Sequence, residues 1–400
     1  MREADDGPPL VADADALAEV VAAAAGAPVL AFDLEFLAGE RFAPRLCLVQ
    51  LGWPGPAGDV EIALIDALAV DPRPALALLA DGQRVVVAHA ARQDAGILAA
   101  QFDLDVRNLF DTQLAAALLG LGDQLGYGAL VAARYGVTLD KSSQWTAWAR
   151  RPLSATQRAY AADDVRYLPA LHAELAAELA ARGRLAWVEE ESRAVIAEAR
   201  AAAAITADDA WRHLGSVRGL DPEGQGALVA LAAWRHRRAE AEDRPPPHVL
   251  GDKVLVELAR ARPRSERALR DVRGVTGAVR TYAGELLEVI ATAPVLADEA
   301  APPWIHPSPR ASLWAEIILA LIADAAEAAA VPPRMLAARA GAERLARAVD
   351  RDGVEAEPDH PLLQSWRREL VGRRILAWLR GEVAITGDAT LLGGLRVVDV

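Results

Sequence analysis

Over the first 120 residues the apolar positions cluster in short runs of strand length, and beyond about Ser154 they recur at helical spacing. Pro28 to Phe36, Arg45 to Leu51 and Val60 to Asp66 read as three successive strands. RVVVAHA, from Arg84, is a fourth, and NLFDT, from Asn108, a fifth. Helical patterns fill the gaps: Asp13 to Ala24, a Leu/Ala stretch opened by Pro72 and Pro74, a helix beginning near Asp94, and one running to Leu121 with Asp111 or Thr112 as its cap. Three strands in a row followed by strand–helix alternation predict a mixed sheet flanked by helices, an α/β unit.

From Ser154 to Ala181 the pattern is one long helix, interrupted or kinked near Pro169, and Leu185 to Ala204 is a further helix that bridges to a second unit. That unit, Asp208 to Ala293, reads as all-helical with a Pro-rich loop at Pro245, Pro246 and Pro247. Ala300 to Pro309 holds four prolines and marks a linker, and Ser312 to Val400 is a third, mostly helical unit with a loop around Asp350 to Pro361. The expected division is therefore 1–186, a linker helix 187–207, a helical domain 208–293, a linker 294–311, and a C-terminal helical domain 312–400.

Composition narrows the reading. A hydrophobic share of 53% with 25% charged residues is ordinary for globular domains with sizeable cores. The one cysteine, Cys47, lies in an apolar run and reads as a core residue without a disulfide partner. The acidic, Pro-containing start is unlike a signal peptide, and no apolar run reaches the length of a membrane span without a charge, so a cytoplasmic protein away from membranes is expected. A net charge of −13 argues against nucleic acid as a partner. The charge is uneven, however: Trp211 to Arg280 carries fourteen Arg plus Lys against nine Asp plus Glu, so a basic stretch lies in the first helical unit. Only two lysines occur, Lys141 and Lys253.

The acids are where the chemistry lies. In AFDLEF, Asp33 and Glu35 are two apart on a strand and so share a face, where they repel unless their pKa values rise or a cation joins them. In VVVAHAARQDAGIL, His89 closes a buried strand and Asp94 opens the next helix, at the kind of sheet edge where ligands bind. In QRAYAADDVRYL, Tyr160 and Asp164 stand i, i+4 on one helical face, while Asp163 points elsewhere. Taken singly, each has an ordinary structural account: a solvated strand end, a helix N-terminal acid, an amphipathic helix. Their conjunction is more specific. Four carboxylates and a phenol, with no His or Cys ligand set nearby, suit Mg²⁺ or Mn²⁺ rather than zinc and point to two divalent metal ions clamping a phosphodiester.

The residues and their order resemble the DEDD exonuclease superfamily in its Tyr-containing branch. KSSQWTAWARRPLS at 141–154, with YAADDVRYL after it, is similar in particular to ribonuclease D proteins. Lys141, Ser142, Gln144, Trp148, Arg150, Arg151 and Pro152 fit that family's pattern. The resemblance implies a ribonuclease H-like α/β exonuclease domain, and 208–293 resembles an HRDC domain, with 312–400 as a second, more divergent copy. It further implies that Asp33 bridges both metals, Glu35 and Asp164 complete one, Asp94 holds the other through its shell, and Tyr160 orients the attacking water. His89, Lys141, Gln144, Arg150 and Arg151 would contact substrate, the basic ones as phosphate or strand contacts. Leu34 departs from the family, which often has Thr between the two acids.

The resemblance implies a 3′→5′ exoribonuclease, releasing nucleoside 5′-monophosphates from structured RNA such as tRNA precursors with 3′ trailers; a monomer is expected, because a helical tail attached to the catalytic unit can form a clamp-like substrate path within one chain. Two other classes are weighed. A 3′→5′ DNA exonuclease shares the five site residues, and a silent nucleic-acid-binding adaptor would lack one of the acids, all of which are present. A glycosidase pair fits poorly, because the acids are too many and no aromatic sugar platform lies near them.

Overall fold

The strand runs pair into one six-stranded sheet in a computed structural model that describes residues 8–140, 142–143, 146–214, 220–275, 277–295, 308–356, 358–392 and 394–400. Its strands are β1 (Leu10–Val11), β2 (Val29–Leu37), β3 (Arg45–Pro54), β4 (Val60–Asp66), β5 (Val85–Ala88) and β6 (Leu109–Asp111), in the order β1-β4-β3-β2-β5-β6. β2, β3 and β4 are antiparallel neighbours; β5 and β6 add in parallel beside β2, and β1 in parallel beside β4. The sheet is thus mixed, as expected. β1 is an addition: two residues are too few to show a strand period in the sequence.

Period-2 alternation sorts the faces. Leu30, Phe32 and Leu34 of β2 join Val49, Leu51 and Trp53 of β3 in a core covered by α1 (Ala14–Ala24) and by α2 (Arg92–Phe102), whose Ile97 and Leu98 it includes. Ala31 faces the other way, and so do Asp33 and Glu35. α3 (Thr112–Leu118) begins where Asp111 caps it, its carboxylate accepting from the backbone N–H of Gln113 and Leu114, so Asp111 is the cap rather than Thr112. The helix is one turn shorter than expected. α4 (Tyr127–Tyr135) comes next, an element the sequence pattern does not predict.

The long helical pattern splits into α5 (Ala155–Arg166) and α6 (Leu168–Ala181), broken at Tyr167 just before Pro169. Ser154 and Gln157 form a reciprocal capping box that fixes the start of α5. α5 crosses the Asp33 face so closely that a Cβ added at Gly52 of β3 would stand 3.2–3.3 Å from Val165.

α7 (Leu185–Ala203) leads out to the first helical unit. There α8 (Pro222–Ala241), α9 (Asp252–Ala261) and α10 (Ala283–Thr292) pack around a core of their own, including Leu231, Trp234, Leu258 and Leu286. The loop after β2 reaches into this unit: Phe42 packs against its core and edge-on to His236 at 5.2 Å. Arg41 pairs with Asp243, which also accepts the Phe42 N–H.

The C-terminal unit behaves differently. Ile318, Leu321 and Ile322 of α11 (Pro309–Ala329) and Leu345 of α12 (Arg339–Asp352) belong to the same buried cluster as Leu168, Leu171, Leu175 and Leu179 of α6. At the seam Arg367 forks onto Glu191 at 2.6 and 2.8 Å, and Trp366 stacks on Trp187 at 4.7 Å. Gly120, at φ +75°, abuts the Ala330 carbonyl so tightly that a Cβ would lie 2.5 Å from it. After α13 (Arg373–Arg380) the chain ends in an antiparallel hairpin, β7 (Val383–Gly387) and β8 (Leu395–Asp399), so the unit is mostly helical, as expected, with a strand pair the sequence pattern does not predict. Most of the 294–311 linker lies outside the described residues. No described helix is long and apolar enough to cross a membrane.

Candidate active site

β2 delivers Asp33 and Glu35 to the face over which α5 runs, and α5 delivers Asp164. Ligand oxygens of these three lie within 4.8 Å of one another. Asp94, in the first turn of α2 and buried, stands outside that tight group, yet its charge raises the pKa of both Asp33 and Glu35. Tyr160, one turn before Asp164, hydrogen-bonds to it, and its ring sits 6.0 Å from that of buried Trp148. The five residues expected at the site are therefore brought together.

Their electrostatics are those of a site short of positive charge. Burial, then the neighbouring acids, pushes Glu35 up to about 10. Burial and then Asp33 push Asp164 up to about 9, while burial and then Asp111 push Asp94 up to about 7. Asp33 is raised well above the carboxylate range by burial and by Asp94. The Tyr160 phenol rises as well, through burial and then the charge of Asp164, so it stays protonated. Asp164 Oδ2 is buried without a hydrogen-bond partner among the described residues. Carboxylates that resist ionisation side by side fit hard divalent cations with oxygen preference.

Two residues that carry no functional signal in the sequence hold this arrangement. Asp111, beyond capping α3, accepts the backbone N–H groups of Ala90 and Ala91 at 3.0 and 2.9 Å, which ties down the turn that launches Asp94. Tyr127 of α4 donates its hydroxyl to the Asp163 carbonyl at 2.8 Å and accepts the Tyr167 N–H at 3.2 Å, pinning the α5–α6 break beside Asp164. The GYGALVAARY run could have revealed α4, but nothing in it names backbone partners so far along the chain.

The expected substrate contacts divide. Lys141 and Gln144 lie outside the described residues. Arg150 is exposed on a cleft of about 610 Å³ lined also by Ser143, Thr146, Pro152 and Gln157, the last one turn of α5 before Tyr160. Arg151 lines the same cleft, with all five of its N–H donors taken by Asp66 and by the carbonyls of Cys47, Trp148 and Arg150, so it pins the loop to the sheet. His89 is tied down as well. Its Nε2 lies 3.0 Å from the Leu125 carbonyl and its Nδ1 2.9 Å from the Thr112 hydroxyl, and burial lowers the pKa of the ring, so both nitrogens help to anchor the loop before α4.

The comparisons with known proteins agree with this geometry. The 3′-5′ exonuclease family profile matches residues 9–180, and that of the HRDC domain matches residues 225–290. The ribonuclease D of Acidiphilium cryptum is 37% identical over 389 residues, covering 94% of each chain. That of Gluconacetobacter diazotrophicus is 36% identical, covering 96% of this chain and 95% of its own. The crystal structure of Escherichia coli RNase D, an exoribonuclease involved in structured RNA processing, superposes with a TM-score of 0.81 at 30% identity, covering 92% of this chain and 98% of that one. The likeness thus extends past the sheet through the helical units, and the chain belongs to the ribonuclease D family of hydrolytic 3′→5′ exoribonucleases.

Proposed function

We propose that Asp33, Glu35, Asp94 and Asp164 hold two divalent cations, Mg²⁺ or Mn²⁺, that Tyr160 orients the attacking water, and that the substrate is the 3′ end of structured RNA, such as a tRNA precursor with a 3′ trailer. The convergence of the Asp33, Glu35 and Asp164 oxygens within 4.8 Å carries this reading. Such a pair of cations, when bound, supplies charge to the attacking and leaving oxygens of a phosphodiester. The chain's own residues do the rest. Asp33 belongs to the tight group with Glu35 and Asp164 and also feels the charge of Asp94, so it is the acid best placed to be shared. Tyr160, protonated and held by Asp164, presents a hydroxyl to a water at the reacting phosphate. Arg150 meets the phosphates of the incoming strand along its cleft, and the basic stretch of the HRDC domain holds RNA further from the cut. The structured-RNA role of the Escherichia coli relative supports the choice of substrate. The chain works in this reading as a cytoplasmic monomer, which a single-chain mass in light scattering checks.

The test is 3′-end degradation of a 5′-labelled RNA and a matched DNA in Mg²⁺, Mn²⁺ or EDTA, with wild type and Asp33→Asn. Stepwise shortening of RNA that needs the cation and vanishes in Asp33→Asn is expected. Equal shortening of DNA would replace the RNA assignment, and activity in EDTA would remove the cations from the mechanism.

A further inference from the structure

Gln50 is fully buried at the middle of β3, and neither its Oε1 nor its Nε2 has a hydrogen-bond partner among the described residues. A buried amide left unpaired is costly, and an apolar side chain of the same shape would avoid the cost. The position tells what the amide is for. Gln50 pairs with Asp33 across the β2–β3 ladder, and opposed residues of antiparallel strands project from the same face. On its other side it pairs with Leu64 of β4. α5 lies over this face, with Ala161 in one cluster with Leu48 and Leu64, and Val165 against Gly52. Gln50, midway between Leu48 and Gly52, is therefore under the stretch of α5 that carries Asp164, and the small Ala161 leaves it depth.

Two further buried polar atoms without partners among the described residues belong to the same neighbourhood. One is Asp164 Oδ2, an acceptor; the other is Trp148 Nε1, a donor whose ring shares the cluster of Leu48 and Leu64. They are the complements of an amide: one oxygen for its N–H, one N–H for its oxygen. We propose that Gln50 is a positioning residue for the acids of the site, its Nε2 donating to Asp164 Oδ2 and its Oε1 accepting from Trp148 Nε1 once the acids hold their cations. The hydrogen bond fixes the direction in which Asp164 presents its other oxygen. This inference rests on the reading of the acids as cation ligands. Groups that orient a ligand from behind in this way typically change cation affinity by about 10–100-fold when removed.

The test measures Mn²⁺ binding by titration calorimetry on the full chain, for wild type, Gln50→Met and Asp33→Asn, with the melting temperature of each taken in EDTA. Gln50→Met keeps the shape and loses the amide. It is expected to bind Mn²⁺ at least about tenfold more weakly, to melt in EDTA no lower than wild type, and to lose kcat on RNA with little change in KM. Wild-type Mn²⁺ affinity in Gln50→Met, beside lost affinity in Asp33→Asn, overturns this inference alone. Weaker binding accompanied by lower melting in both Gln50→Met and Gln50→Leu makes the residue structural and overturns it too. A wild type that takes up no Mn²⁺, or an Asp33→Asn that binds as well, removes the cation reading and this inference with it.

Discussion

Arg151 forks onto Asp66 of β4, Nε to Oδ2 and Nη2 to Oδ1, both at 2.6 Å. Burial alone would raise the Asp66 carboxyl, but the guanidinium and the backbone N–H groups of Leu68 and Ala69 together outweigh it and hold the group below its ordinary value. Removing one partner strands the other in the protein, so Arg151→Ala is expected to cost about 3 kcal/mol of stability. Lysine cannot reproduce the fork, and Arg151→Lys should recover little of it. Chemical denaturation gives the answer; an unchanged unfolding midpoint in Arg151→Ala would show that the fork adds nothing to stability.

The acids of the site make stability depend on pH in a definite direction. Asp94, Asp164 and Glu35 rise to about 7, 9 and 10, against values near 4 in an unfolded chain. The folded protein binds these protons more tightly than the unfolded one. Their contribution is therefore complete below about pH 4 and is lost as pH climbs through 7 to 10. In EDTA the melting temperature should fall between about pH 6 and pH 9.5, and Glu35→Gln should flatten the fall. Millimolar Mg²⁺ or Mn²⁺ should abolish it, because the cations bind the ionised acids. A melting temperature in EDTA that ignores pH would contradict the close packing of these acids.

Tyr160→Phe keeps the ring against Trp148 and removes only the hydroxyl. Turnover on RNA is expected to drop by about 10²-fold, in the range of lost proton-handling or water-orienting groups. Cation affinity should not change, since the phenol is no ligand in the proposed site. A loss of Mn²⁺ binding in titration calorimetry would show that the hydroxyl holds Asp164 in place instead of the water.

Arg150→Ala tests the cleft. Its effect should fall on KM, with kcat at saturating RNA within about twofold of wild type, and the slope of log affinity against log salt should shrink by about one. An unchanged salt slope would mean that the strand passes elsewhere.

Truncation after residue 295 is expected to fail. It would strip Ile318, Leu321, Ile322 and Leu345 from the buried cluster they share with the exonuclease domain, and take Trp366 and Arg367 from Trp187 and Glu191. At about 1.5–3 kcal/mol for each large apolar side chain, the loss rivals the whole stability of a domain, about 5–15 kcal/mol. Expression should yield aggregated protein; a soluble truncated chain with a sharp melting transition would show that the shared core is dispensable.

Much of the fold and the site is legible in the chain. Asp33 and Glu35 show themselves because a strand repeats every two residues, and Tyr160 and Asp164 because a helix places i and i+4 together. The sequence displays a charge but not its partner, which is why Arg151 reads as free: Asp66 is 85 residues away. His89 hides its partners for the same reason, its ring lying against Thr112 and a backbone carbonyl. Gln50 hides inside an apolar run, where one polar letter passes for noise. β1 is too short to show a period, and β7 and β8 bury too few side chains to stand out from a helical tail.

The strand that carries Asp33 and Glu35 runs on into the loop whose Phe42 is lodged in the HRDC domain. The domain is thus joined to the cutting edge by a short mechanical lever as well as by the long way round through α7. A shift of these helices reaches, through Phe42 and the Arg41–Asp243 pair, the strand that carries Asp33 and Glu35.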